Sequence, residues 1–331
     1  MNILITGATG YIGKEVAQKL AAEGHKIHAL YRSEAKIGTL RHENIVLFKG
    51  DITDEATLAA AMKGCDRVYH LAALAGVWAK DPNVFYEANF HAVRTLLEIA
   101  NREGVRRVVL TSTGGVVGPA IGGIPVEETP FGKPRFFSDY EKSKWLMEDF
   151  VLHQYDGATE VVIVNPTRVF GPGLLSESNG VTRMVQLYLK GRFRLLPAGG
   201  RRIGNYTYVD DVVQGHLLAM EKGRHKERYL LGGYDLSYRE LFALLARLSG
   251  KNYRMFKLPA SVLYFLAYLQ QARTFLFKTP PLFTSIWVDK LVQYDWLVSS
   301  RKAQEELGYQ PTSAEEAFGQ TIKWLEQNHK A

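Results

Sequence analysis

An apolar run, Asn2–Thr6, passes directly into Gly7-Ala8-Thr9-Gly10-Tyr11-Ile12-Gly13 and from there into a helical pattern. Three glycines spaced three apart at a strand-to-helix junction restrict the chain more than any other feature. Gly7 can take the torsions of a tight turn, Gly10 lets an anion approach the main chain, and Gly13 lets the helix sit close to the strand. The helix start then turns free N–H groups and a positive dipole end toward phosphates. Glycine-rich turns are common, so the triplet alone says little. Its place in a βαβ unit makes it a dinucleotide site, with Gly7, Thr9, Gly10, Tyr11, Ile12 and Gly13 facing the cofactor.

The rest of the first half fits such a unit. Strand-like runs at Lys26–Tyr31, Ile45–Gly50, Arg67–Leu71, Arg107–Thr111 and Val161–Asn165 alternate with helical patterns at Tyr11–Glu23, Asp54–Met62, Asn83–Glu103 and Asp139–Gln154. Several of the runs are almost wholly apolar, as strands covered on both faces are. The alternation predicts an α/β fold, a doubly wound parallel Rossmann sheet. Residues 1–172 are expected to form the dinucleotide-binding domain, completed by parts of 205–235. Residues 173–331 are expected to form a smaller, mostly helical substrate-binding region interleaved with it. Helices are predicted at Val181–Lys190, from about Asp210, and at Ser313–Gln327. Residues 257–297 are aromatic and apolar, which fits a pocket cover, a core or a dimer surface.

Composition narrows the function classes. The 331 residues hold 41 Lys+Arg against 34 Asp+Glu, a formal charge of +7, but the basic residues are scattered. No basic tract alternates with aromatics, so a nucleic-acid partner is not expected, and a small anionic molecule accounts for the excess as well. The one cysteine, Cys65, excludes an internal disulfide and reads as a small buried hydrophobe. The start Met1-Asn2-Ile3-Leu4 has no basic stretch, so no signal peptide and a cytoplasmic location are expected. No run reaches the ~20 apolar residues that a bilayer span needs. A peripheral membrane contact is possible, since lipophilic substrates arrive from membranes, but the helix-like patches do not show one. No metal-ligand set is expected.

The motifs together resemble the extended short-chain dehydrogenase/reductase family, the NAD-dependent epimerase/dehydratase superfamily. Besides Thr6-Gly7-Ala8-Thr9-Gly10-Tyr11-Ile12-Gly13, they include Gly50-Asp51-Ile52-Thr53-Asp54, His70-Leu71-Ala72-Ala73 and Asn89. The resemblance implies that Asp51 and Ile52 meet the adenine, and that Leu71, Ala72 and Ala73 line the cofactor with Asn89 nearby. Among subfamilies the chain is most similar to dihydroflavonol-4-reductase-like members. Asn165-Pro166-Thr167-Arg168-Val169-Phe170-Gly171-Pro172 resembles their wall beside the nicotinamide, which brings Pro166 and Val169 into the set. A homodimer through Asn83–Glu103 and Asp139–Gln154 would match the family.

The end of the second strand selects the dinucleotide. An acid there bonds the ribose hydroxyls of NAD, whereas a basic residue accepts the 2′-phosphate of NADP. Here the chain reads Leu30-Tyr31-Arg32-Ser33, with Lys36 following. Tyr31, Arg32 and Lys36 therefore predict a preference for NADP(H), with NAD(H) the alternative.

Tyr140 and Lys144 lie four apart on a predicted helix and share a face. A neighbouring ammonium favours the phenolate and would bring a tyrosine toward its working range. Thr111-Ser112-Thr113-Gly114-Gly115-Val116-Val117-Gly118 resembles the family's segment with the catalytic hydroxyl, which puts Thr113 in that role, Ser112 second, and Val117 at the usual tyrosine. Tyr140 would protonate a substrate carbonyl or deprotonate the alcohol, with Lys144 on the nicotinamide ribose and lowering the pKa of Tyr140.

Nucleotide-sugar members of the family resemble one another in a segment whose Arg holds the pyrophosphate. Gly204 stands at that position here, with Arg201 and Arg202 as nearby substitutes, and Asp210 or Asp211 reads as a helix N-cap. Three function classes follow: a ketone reductase or alcohol dehydrogenase acting on an apolar small molecule, a sugar or nucleotide-sugar epimerase/dehydratase, and an NADP(H)-sensing binding protein.

Overall fold

The computed structural model describes residues 1–76, 78–128, 135–175, 179–277, 279, 281 and 283–328, without the side chains of Lys36 and Thr39. In chain order the elements begin β1 (Asn2–Thr6), α1 (Tyr11–Ala22), β2 (Lys26–Tyr31), β3 (Ile45–Lys49), α2 (Glu55–Met62) and β4 (Arg67–His70). Next come α3 (Asn83–Tyr86), a π turn at Glu87–His91, α4 (Ala92–Arg102), β5 (Arg107–Thr111), α5 (Asp139–His153) and β6 (Glu160–Pro166). Then follow β7 (Arg168–Phe170), α6 (Gly180–Leu189), β8 (Leu195–Pro197), β9 (Ile203–Tyr208), α7 (Val209–Lys222), β10 (Glu227–Leu231) and β11 (Tyr234–Ser237). The last are α8 (Tyr238–Ser249), β12 (Phe256–Leu258), α9 (Ala260–Phe277), α10 (Ser285–Val292) and α11 (Ala314–Asn328).

Seven strands form one sheet in the order β3-β2-β1-β4-β5-β6-β10. All its pairings are parallel, with Thr6 beside Leu30 on one side and His70 on the other. This is the α/β doubly wound sheet that the alternation predicts. Successive side chains of β1 feed opposite cores. Ile3 and Ile5 pack with Val16, Leu20 and Val212 of α1 and α7, whereas Leu4 packs with Leu58, Leu96 and Met147 of α2, α4 and α5. Such double cover requires the apolar runs seen in the sequence. The strand order reverses between β2 and β4 on either side of β1, which opens a crevice at the strand ends. A smaller sheet, β11-β9-β7, flanks the large one.

Two local expectations need correction. Asn83–Glu103 is not one uninterrupted α-helix, because the π turn at Glu87–His91 inserts extra backbone where Asn89 is buried. Neither Asp210 nor Asp211 caps α7. The helix starts after Tyr208 with no side-chain cap, and Asp211 is instead engaged by the Thr312 amide (3.0 Å) and hydroxyl (2.6 Å). Cys65 is buried as expected, and burial pushes its thiol up to about 12.

Candidate active site

The glycine turn works by close backbone approach. Gly7 has φ +74°, and a Cβ on it would lie 2.6 Å from the Ala72 nitrogen. A Cβ on Gly13 would lie 2.2 Å from the Gly7 carbonyl oxygen, and one on Gly10 would lie 3.0 Å from the same oxygen. Gly10 precedes α1 without a capping side chain, so the helix N-terminus stays open to a phosphate. In front of it lies a cavity of about 570 Å³. Of the predicted cofactor residues, Gly7, Thr9, Gly10, Tyr11, Ile12, Gly13, Arg32, Asp51, Ile52, Leu71, Ala72 and Ala73 line it. Ser33, Thr53, Glu87, Thr111 and Leu174 also line it; the sequence reading missed them, because loops from separate strands bring them together.

At one end Arg32 extends into solvent, with Nη1 3.6 Å from Asp51 Oδ2. Burial pushes the Asp51 carboxyl up, but the Thr53 amide and hydroxyl, with Arg32, outweigh it and leave the group below its ordinary range. Tyr31 closes β2 without lining the cavity, and the Lys36 side chain lies outside the described residues. Asn89 is also away from the wall. Its amide accepts from the Leu74 nitrogen (2.9 Å) and donates to the Leu74 carbonyl (3.0 Å) and the Ser143 hydroxyl (3.0 Å). It therefore pins the loop after β4 to α5.

The three residues expected to be catalytic come from two elements. Ser138 caps α5 by accepting from the Glu141 amide at 3.2 Å, and Tyr140 and Lys144 follow one turn apart. Thr113 leads a 3₁₀ turn, Gly114–Val117, where its hydroxyl accepts from the Gly115 amide (3.2 Å) and hydrogen-bonds the Tyr140 phenol. Ser112 is buried on the Glu148 side, so Thr113 supplies the hydroxyl beside the phenol. Lys144 is fully buried and donates to the Thr111 carbonyl at 2.8 Å. Burial brings its ammonium down to about 8, against the opposing pull of Glu148.

The electrostatics differ from expectation at Tyr140. Its phenol is pushed up to about 12, first by burial and then by the Glu141 carboxylate, with only the Thr113 hydrogen bond pulling it down. Lys144 is not among the groups that set it, and its ammonium donates to the Thr111 carbonyl. Glu141 itself is buried, accepts from the Phe137 amide at 2.7 Å and is paired with Lys290 of α10.

A second buried set supports the trio. Asn165 donates to the Thr113 carbonyl (3.1 Å) and to Glu148 (2.6 Å), and Glu148 also takes Arg228 of β10 at 2.8 Å. Pro166 and Val169 flank this region on β6 and β7, both buried and away from the cavity wall. Asn165 opens a motif that the sequence singled out, whereas Glu148 and Arg228, on two other elements, had no sequence signal. Near Gly204, strand pairing sets Arg168 against Tyr206, and the guanidinium lies 5.6 Å from the Tyr206 ring centroid. A Cβ on Gly204 would lie 2.2 Å from Arg168 Nη1, so the missing side chain makes room for this arginine. Arg202, by contrast, is committed to Asp295 (3.2 Å) and the Val292 carbonyl (3.0 Å).

A model of the NAD dependent epimerase/dehydratase family matches residues 3–232. Sterol demethylase protein B of Methylococcus capsulatus is 30% identical over 98% of this chain and 98% of its own length. Sterol-4-alpha-carboxylate 3-dehydrogenase, decarboxylating, of Mus musculus is 26% identical over 96% of this chain and 89% of its own. Among solved structures, UDP-glucose 4-epimerase of Thermotoga maritima with UDP-glucose is 26% identical, with a TM-score of 0.80 over 99% of both chains.

Proposed function

Because the chain belongs to the NAD-dependent epimerase/dehydratase family, we propose that it reduces the ketone of an apolar small molecule, or oxidises the matching alcohol, with NADP(H). The observation that carries this reading is the meeting of the Tyr140 phenol with the Thr113 hydroxyl, above a buried Lys144.

Glycines whose Cβ positions are filled by backbone fit the main chain for close approach to a pyrophosphate, so Gly7, Gly10 and Gly13 would hold the dinucleotide. Arg32 on the cavity wall would meet a 2′-phosphate, which supports NADP(H) over NAD(H). When bound, the nicotinamide supplies or takes the hydride. A phenol at about 12 stays protonated across the neutral range, so Tyr140 is set to give its proton to a carbonyl oxygen. Thr113 hydrogen-bonds the same oxygen and orients it. Lys144, buried one turn along α5, would hold the cofactor ribose, and its ammonium donates to the Thr111 carbonyl.

The apolar substrate is supported by relatives whose names refer to sterols. Likeness to a UDP-glucose 4-epimerase over the whole chain supports a second reading, in which a nucleotide sugar is turned over with no net redox change. Arg202 is already paired, which leaves the exposed Arg201 to meet such a diphosphate. The test adds NADPH with ketosteroids to one sample and UDP-glucose to another. Loss of reduced-nicotinamide absorbance with a ketosteroid, absent in Tyr140→Phe, supports the reductase. Conversion of UDP-glucose to its 4-epimer without absorbance change supports the second reading.

A further inference from the structure

The helix α9 is dressed the wrong way round for a water-facing surface helix. Its inward positions are Leu263 and Ala267, which pack against Val288, Leu291 and Val292 of α10. Its outward positions are larger. Val262, Phe265, Leu266 and Leu269 follow the i, i+3, i+4, i+7 spacing of one helical face, and all are exposed, Phe265 by 62% and Leu269 by 52%. Tyr268 beside them and Leu276 two turns on are exposed by 59% and 69%. A contiguous apolar face of this kind marks a contact surface, because singly scattered apolar side chains need no such register.

The surrounding charge selects what covers it. Between Leu241 and Val288 the sequence holds Arg247, Lys251, Arg254, Lys257, Arg273 and Lys278 but no Asp or Glu. Arg254, Lys257 and Arg273 are exposed next to or within α9. A second copy meeting this face about a two-fold axis would set these cations against one another, and Asp289 of α10, the acid packed against α9, is already engaged by Tyr264. An anionic lipid surface complements both features, taking up the apolar face and attracting the basic rim. At 1.5 Å per residue the helix is about 27 Å long and lies flat in this mode. No described helix is long and apolar enough to cross a membrane.

We propose that the outward face of α9 docks the protein onto an anionic lipid surface. The docked helix is wired to the catalytic one: Tyr264 donates to Asp289 at 2.6 Å, and Lys290, the next residue, is paired with Glu141 beside Tyr140. A lipophilic substrate held in the same bilayer would then reach the site without crossing water. Docking itself is independent of the reductase reading, since it needs no turnover.

The test is co-flotation of the full chain with vesicles of phosphatidylcholine alone or with phosphatidylglycerol added. Binding to the anionic vesicles at least tenfold stronger than to the neutral ones is expected, falling as salt rises. Phe265→Ser with Leu269→Ser should lower that binding at least tenfold, with the melting temperature and NADPH affinity held. Lys257→Gln with Arg273→Gln should weaken binding to anionic vesicles only. Failure of the unaltered protein to float with anionic vesicles would overturn the proposal. So would a dimer in lipid-free buffer that the Phe265→Ser, Leu269→Ser protein loses while both proteins bind vesicles alike.

Discussion

At Gly7, Gly10 and Gly13 the site is made by leaving side chains out, whereas at Thr113, Tyr140 and Lys144 it is made by enclosing side chains, the first two half-buried and Lys144 fully buried. The glycine cradle needs only the right backbone torsions and three absent Cβ atoms, so its function is written in one short segment. The face proposed to be catalytic needs α5, β5, β6, β10 and α10 to bring Glu141, Glu148, Asn165, Arg228 and Lys290 into register. The two halves should therefore fail differently when altered.

Removing the phenol oxygen should separate them most sharply. Tyr140→Phe is expected to lower turnover by about 10³-fold, within the range of general acid catalysis, while NADPH binding changes by no more than about twofold. Steady-state assays beside fluorescence titration of NADPH measure both. Gly13→Ala should do the reverse, since its Cβ would lie 2.2 Å from the Gly7 carbonyl oxygen and 3.2 Å from the Ala8 Cα, both backbone atoms that cannot easily yield. A loss of about 1–3 kcal/mol in stability is expected, with NADPH affinity down by about tenfold or more. Calorimetry and titration check this, and an unaffected protein would show that the turn yields more than its packing allows.

Arg32→Glu probes the cradle's rim, where side-chain charge does matter. A preference for NADPH over NADH should reverse, with about tenfold lower affinity for NADPH. The smallest effect is expected from Lys290→Met. Without Lys290 the Glu141 carboxylate stands unpaired near Tyr140, and a negative neighbour disfavours the phenolate. The phenol pKa then rises further, so the alkaline limb of the pH–rate profile should move up, by about one unit or less. A downward shift would show that Glu141 does not act on Tyr140.

The same contrast explains what the sequence discloses. The cradle, the parallel sheet and the Tyr140/Lys144 spacing are local patterns, legible as periodicity and short motifs. Arg168 beneath Gly204 is not, because only the pairing of β7 with β9 puts the two together. Nor is the state of Tyr140. The spacing places Lys144 one turn away, but the Thr111 carbonyl, supplied by a strand over thirty residues earlier, decides where the ammonium goes. The strands β7 to β12 were also illegible. They are short or carry polar residues, and their partners come from far along the chain. The apolar content of residues 257–297 was plain from composition, but which side of α9 faces out was not.

Deuterium transfer is the most direct measurement. NADPH deuterated at nicotinamide C4 on the transferred face is incubated with the protein and a panel of ketosteroids, and the products are read by mass spectrometry. The account predicts an alcohol carrying one deuterium, formed with one NADPH consumed, and absent with Tyr140→Phe. Unchanged ketones and unconsumed NADPH, together with 4-epimerised UDP-glucose in a parallel sample, would contradict it.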